Sequence, residues 1–235
     1  MALSLHIGIV ACSAEGAALC YRTICDEGAG LMGAYRHPEV SLHTHSLGEY
    51  MEFIHRDDWA GVAGLMLSSA EKLRKAGADF LICPDNTVHR SLARVVERSP
   101  LPWLHIVEEV AVEARRKGFR RVGVTGTAYS MEGSIYPDVL ARNDIDVRLP
   151  SPADRRTLND IIFGELVKGI FKAESVAAFR TVIEGMKAEG CDAVVLGCTE
   201  IPLIITPENS PLPVLDSTRL LARAALRRAV RGQAR

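Results

Sequence analysis

The chain has no surplus of charge of either sign. With 28 Lys and Arg against 29 Asp and Glu, its formal net charge is −1, which argues against a polyanion-binding surface, so no nucleic-acid partner is expected. No apolar run approaches the length needed to cross a bilayer, so no membrane association is expected. The opening, MALSLHIGIVACS, has no basic leader before a long apolar core, which argues against a signal peptide. The six cysteines, at positions 12, 20, 25, 83, 191 and 198, lack the paired spacing of a zinc site. Reduced thiols in a cytoplasmic enzyme fit that distribution better than a disulfide framework, and no metal is expected. A GxGxxG fingerprint is also missing after the first apolar run, so no dinucleotide cofactor is expected.

What is present is an internal repeat. Residues 77–87, GADFLICPDNT, align without a gap on residues 190–200, GCDAVVLGCTE. Gly77 meets Gly190, Asp79 meets Asp192, an apolar strand follows in both, and Asp85 then meets Cys198. Each copy reads as a helix end, a tight turn, a buried strand and a polar cluster where the strand stops. Around the copies, strands alternate with helices. Short apolar strands are expected at 6–12, 39–45, 80–83, 103–106, 121–125, 145–149 and 214–215. Helices are expected near 15–27, 59–76, 88–98, 107–117, 128–142, 155–171, 175–189 and 216–230, with a frayed basic tail at the end. This alternation predicts an α/β fold of two pseudo-symmetric lobes, each a parallel sheet flanked by helices, with the active site in the interlobe cleft. Residues 1–106 form the first lobe and 107–215 the second, with a closing helix over 216–235 packed on the first. At 235 residues the chain can bury a core in each.

In open α/β sheets ligands bind at the carboxyl ends of the strands, so the repeat aims one reactive side chain, Asp85 or Cys198, from each lobe. Cys198 lies directly after a strand in G-C-T-E. If a helix starts there, its amides and dipole would lower the thiol pKa and hold an anion. Its bland alternative is a buried structural thiol. For Asp85, in P-D-N-T, the bland alternative is a helix N-cap. Asn86, Thr87 and Thr199 supply donors for a substrate carboxylate. His89, one helical turn beyond Asp85, faces either the cleft or solvent. His43 and His45 share one face of a strand, a weak metal signal for which structural roles are the simpler reading. Arg155 and Arg156 are either surface charges or reach a second substrate carboxylate.

These stretches resemble the aspartate/glutamate racemase family over almost the whole chain, and the bacterial broad-specificity amino-acid racemases most closely. The resemblance is carried by IGIVACSAEG at 7–16, the 43–59 segment ending in Trp59, DNTVH at 85–89, LPWLHI at 101–106, GTAYSMEGSIY at 126–136, LNDIIFGEL at 158–166 and LGCTEI at 196–201. It implies a PLP-independent amino-acid racemase or epimerase, often a homodimer, that uses no cofactor and works by proton abstraction and reprotonation at Cα. Residue by residue, it carries over Cys198 as one acid/base group. Asn86, Thr87 and Thr199 carry over as carboxylate binders, and Thr127 and Ser13 as substrate contacts. Two departures stand out. Asp85 occupies a position that is cysteine in many members and threonine in some, and Ala11-Cys12-Ser13-Ala14 replaces the usual glycine-rich opening. To donate a proton near neutral pH, Asp85 would need a pKa raised by burial. The rival readings are a one-cysteine decarboxylase or proton-transfer isomerase of a small carboxylic acid, and a catalytically silent small-acid binding protein. The ligand in every case is an amino acid or a dicarboxylic acid.

Overall fold

The computed structural model describes residues 4–232. The first residues of the opening segment and the last three of the expected basic tail lie outside them. The described residues fall into two compact units, one of residues 4–106 together with 218–232 and the other Val107–Ser217.

In the first unit, β1 (Ile7–Ala11) leads into α1 (Ala14–Met32). Next come β2 (Val40–Thr44), α2 (Leu47–His55), α3 (Trp59–Lys75) and β3 (Phe80–Ile82). A 3-10 turn over Thr87–Ser91 and a short α4 (Leu92–Val96) follow, and α5 (Ile106–Lys117) carries the chain into the second unit. There the order is β4 (Arg121–Gly126), α6 (Ala128–Glu132), α7 (Ile135–Ala141), β5 (Asp146–Arg148) and α8 (Pro152–Gly164). It continues with α9 (Ala173–Ala188), β6 (Ala193–Gly197), a 3-10 turn over Ile201–Leu203, β7 (Val214–Asp216) and α10 (Ser217–Arg231).

Both sheets are parallel throughout, with order β2-β1-β3 in the first unit and β5-β4-β6-β7 in the second. Strands β1, β3 and β6 are buried at every residue, as continuous apolar runs covered on both faces must be. In the second unit Leu158 and Ile162 of α8 and Phe179, Ile183 and Met186 of α9 close over Val194 and Leu196. In the first, α3 packs on β1 with Val62, Met66 and Leu73 buried.

The internal repeat has a physical cause. Each copy begins with a glycine at positive φ, +94° at Gly77 and +83° at Gly190, a conformation that lets the chain leave the preceding helix. Two residues on, an aspartate ties the turn to the start of the neighbouring central strand. Asp79 accepts from the amide of His6 at 2.7 Å, and Asp192 accepts from the amides of Arg120 and Arg121 at 2.7 and 2.9 Å.

Several element boundaries differ from the sequence expectation. α2 was not foreseen, although Ser46 and Glu49 form a reciprocal capping box at its start. The single helix expected over 128–142 is two, because Gly133 adopts an extended conformation between them. The helix expected near 155–171 begins at Pro152, capped by Ser151, and ends at Gly164. The strand expected at 103–106 is one parallel bridge, Leu81 to Trp103, after which Ile106 already begins α5.

Candidate active site

Every candidate except Arg156 lies where a sheet ends. Ser13 and Thr127 follow β1 and β4 and cap the next helices, accepting from the amides of Gly16 and Ser130 at 3.3 and 3.2 Å. Both are buried. Cys198 and Thr199 follow β6, whose last residue, Gly197, pairs with Gly126 at the end of β4. Thr127 and Cys198 are therefore brought together on adjacent strand ends. Gly197 is required there, since a Cβ would lie 2.8 Å from the Thr125 carbonyl oxygen and 3.2 Å from the Tyr136 hydroxyl. In the first unit Ser13, Asp85, Asn86 and Thr87 follow the paired strands β1 and β3. Arg156 is not gathered in, because its side chain is exposed on α8. Arg155 instead turns toward α6, its Nε 3.8 Å from Glu132. The same helix is anchored by Asn159, whose side-chain oxygen accepts from the Ala128 amide at 3.0 Å.

The expectation of a helix starting at Cys198 is corrected. After Gly197 the chain makes a turn and then only the three-residue 3-10 turn over Ile201–Leu203, so the helix expected to start at Cys198 does not form. Its partner is instead a carboxylate that the sequence reading passed over. Cys198 is 8% exposed and Glu200 3%. The Cys198 Sγ–H donates to Glu200 Oε2 at 2.9 Å, and the Thr199 Oγ–H donates to the same oxygen at 2.7 Å. A buried carboxylate needs such donors. The arrangement places the Cys198 Sγ within hydrogen-bond reach of a carboxylate buried beside it. The signal was present in LGCTEI, since a glutamate in an otherwise apolar, buried stretch has to be paired.

Asp85 is held differently. β3 stops at Ile82, and Pro84, which has no amide hydrogen, takes the place that Gly197 occupies in the second copy. Asp85 is half-buried, and its Oδ1 accepts from the Thr87 amide at 3.1 Å. This small turn binds the carboxylate form. Asn86 stands in the capping position of the next turn without using its side chain as a cap. The solvent alternative for His89 is corrected, since it is 3% exposed. Its Nδ1 lies 2.8 Å from the Asp85 carbonyl oxygen. Burial and the neighbouring His105 push its pKa down to about 3, so it is neutral. Cys83, two residues before Asp85, is fully buried, and burial followed by the nearby Asp85 pushes its thiol well above the ordinary range. Cys83 is therefore an inert thiol rather than a substitute for Asp85.

His43 and His45 bond Ser69 and Ser68 at 3.0 and 3.1 Å. Among the described residues no group of three or more His, Cys, Asp or Glu side chains is placed to hold a metal ion. No helix among them is long and apolar enough to cross a membrane.

Residues 15–225 match the Asp/Glu/hydantoin racemase family. The broad-specificity amino-acid racemase RacX of Bacillus subtilis is 27% identical over 161 residues, which cover 68% of this chain and 69% of that one. Among solved structures, a Yersinia pestis protein provisionally classed as an Asp/Glu racemase is 31% identical. It superposes with a TM-score of 0.88 over 96% of this chain and 99% of its own. PH1733, an aspartate racemase homologue from Pyrococcus horikoshii, is 27% identical with a TM-score of 0.83, over 97% and 99% of the two chains.

Proposed function

The chain belongs to the Asp/Glu/hydantoin racemase family and is a racemase-type isomerase, and we propose that Cys198 and Asp85 are its two acid/base groups. The observation that carries this is the different hydrogen bonding built around each. The Cys198 thiol donates to Glu200, whereas the Asp85 carboxylate accepts from a backbone amide. Together they hold one proton, which is what a two-base inversion needs. Asp85 removes the α-proton of one enantiomer while Cys198 delivers its proton to the opposite face of the planar intermediate. The other enantiomer is handled once the proton has moved, with Cys198 as thiolate and Asp85 as acid. In that second state the thiol proton passes to Glu200, which is bonded to it, and half-buried Asp85 takes its proton from solvent. General acid–base catalysis of this kind is worth roughly 10²- to 10⁴-fold for each group.

The substrate carboxylate is held by Asn86 and Thr87 and by the main-chain amide of Thr199, whose hydroxyl hydrogen goes to Glu200. Ser13 and Thr127 are further contacts, and these donors stabilise charge as the carbanion forms. The reaction needs no cofactor, and the substrate is a free amino acid. The broad specificity of RacX supports testing many side chains. The chain works in the cytoplasm as a homodimer.

The test is solvent-deuterium incorporation at Cα over a panel of L- and D-amino acids, read by mass spectrometry alongside chiral chromatography. Exchange with inversion of at least one amino acid is the expected result. Exchange without inversion would overturn the two-base assignment, and no exchange on any amino acid would overturn the substrate class.

A further inference from the structure

We infer that His89 is the positioning residue for Asp85, holding the loop after β3 in place of the strand pairing that this loop lacks. The inference rests on the reading of Asp85 as an acid/base group. In the second unit the β4–β6 ladder runs to Gly126 and Gly197, directly before Cys198. In the first, the β1–β3 ladder ends at Ile9 and Ile82, three residues short of Asp85. Something other than the sheet has to fix the Asp85 backbone.

Both ring nitrogens of His89 are committed to main-chain groups. A carbonyl oxygen can only accept, so Nδ1, 2.8 Å from that of Asp85, carries the hydrogen. An amide can only donate, so Nε2, 3.3 Å from the amide of Ile106, is the acceptor. Ile106 is the first residue of α5, where amides have no partner within the helix. The ring thus caps α5 and clamps the Asp85 carbonyl at once, and only the neutral Nδ1–H tautomer can do both. The His105 ring packs edge-on at 5.0 Å between centroids and, with burial, disfavours the imidazolium. The position matching His89 in the repeat is Pro202, which cannot make either bond. The clamp therefore exists only where the ladder falls short.

A misplaced acid/base group should spoil proton transfer on its own face and spare the other. Taking the best substrate of the wild-type panel, His89→Ala should lower inversion relative to α-proton exchange by about 10- to 100-fold, with KM little changed. His89→Gln, which keeps a donor and an acceptor, should recover part of that loss. A merely structural role would lower inversion and exchange together, so a ratio equal to wild type in both variants overturns the inference. Asp85→Asn, measured alongside, separates the two ideas. If it leaves the ratio unchanged, the assignment of Asp85 fails. If it lowers the ratio and His89→Ala does not, only the clamp fails. Nitrogen-15 NMR of the wild-type ring gives an answer independent of folding yield. His89 should show a protonated Nδ1 and a bare Nε2 from about pH 5 to 8, and a protonated Nε2 anywhere in that window overturns the clamp.

Discussion

The two copies of the repeat share a turn, a glycine, an anchoring aspartate and a buried strand, and then part company within one residue. In the second unit a glycine keeps the sheet paired up to the residue before Cys198, and a buried glutamate accepts a hydrogen bond from the thiol. In the first, Pro84 ends the pairing early, and a short turn with a histidine clamp holds Asp85. Even the last strand follows this pattern. The Leu81 amide bonds the Pro102 carbonyl at 2.8 Å just as the Val194 amide bonds that of Pro213 at 2.9 Å, yet one side forms a single bridge and the other a strand. The framework is a duplicated solution to chain reversal, whereas the reactive ends are individually built. One end sets a thiol against a buried carboxylate, and the other sets a carboxylate against a backbone amide.

The largest effect should come from removing the thiol. Cys198→Ala should lower inversion by about 10³- to 10⁴-fold while the fold persists, measured by chiral chromatography and circular dichroism. Activity within a few-fold of wild type would leave Cys198 a packing residue. Making the two ends alike sharpens the comparison from the other side. Asp85→Asn should cost about 10²- to 10³-fold, whereas Asp85→Cys should retain substantially more activity because it can still exchange a proton. Because two enantiomers have equal free energy, each variant must lose kcat/KM equally in both directions, which is an internal check on the kinetics. Glu200→Gln should cost about 10- to 100-fold, since Cys198 then has no carboxylate to take its proton. Its pH–rate profile should shift, whereas that of Thr199→Val should not.

Two smaller effects concern stability. His89 stays neutral in the native state down to about pH 3, while the unfolded chain takes up a proton near pH 6.5. Between those values the unfolded state binds more protons. Stability should therefore fall as pH drops below that point, by at most about 1.4 kcal/mol per pH unit from this group. His89→Gln should flatten that slope in urea titrations. The smallest difference separates the two anchoring aspartates. Asp192→Ala should cost about 1 kcal/mol and Asp79→Ala about half that, because Asp192 serves two amides and both side chains are exposed. The two amides hold the Asp192 carboxyl below its usual range, so its contribution should be present at neutral pH and lost as acid protonates it.

The parallel α/β architecture was legible because buried strands leave continuous apolar runs and the glycine-aspartate turns recur at the same offset. Element boundaries were less legible where a local choice overrode the pattern. Gly133 splits a helix that its flanking residues would continue, and the capping box of α2 went unread beside a stronger apolar run. At the site, the residues closing each strand could be named from their register. Glu200 was missed because its role depends on burial, which spacing does not report. The clamp was missed because both of its bonds go to backbone groups, one of them 17 residues away, and no side-chain pattern marks them.

The closing helix has a consequence for synthesis. The Leu5 amide bonds the Ala229 carbonyl at 3.1 Å, Arg223 grips Glu27 through both carboxylate oxygens, and Arg228 covers the Phe80 ring at 4.7 Å. The unit holding the amino-terminal strands is thus completed by residues translated after the whole of the Val107–Ser217 unit. The unit of Val107–Ser217 is contiguous and has all its parts once Ser217 has left the ribosome. Nascent chains usually finish their amino-terminal domain first. Here the second unit has all its residues first, and Asp85 sits in the unit whose parts are complete only later.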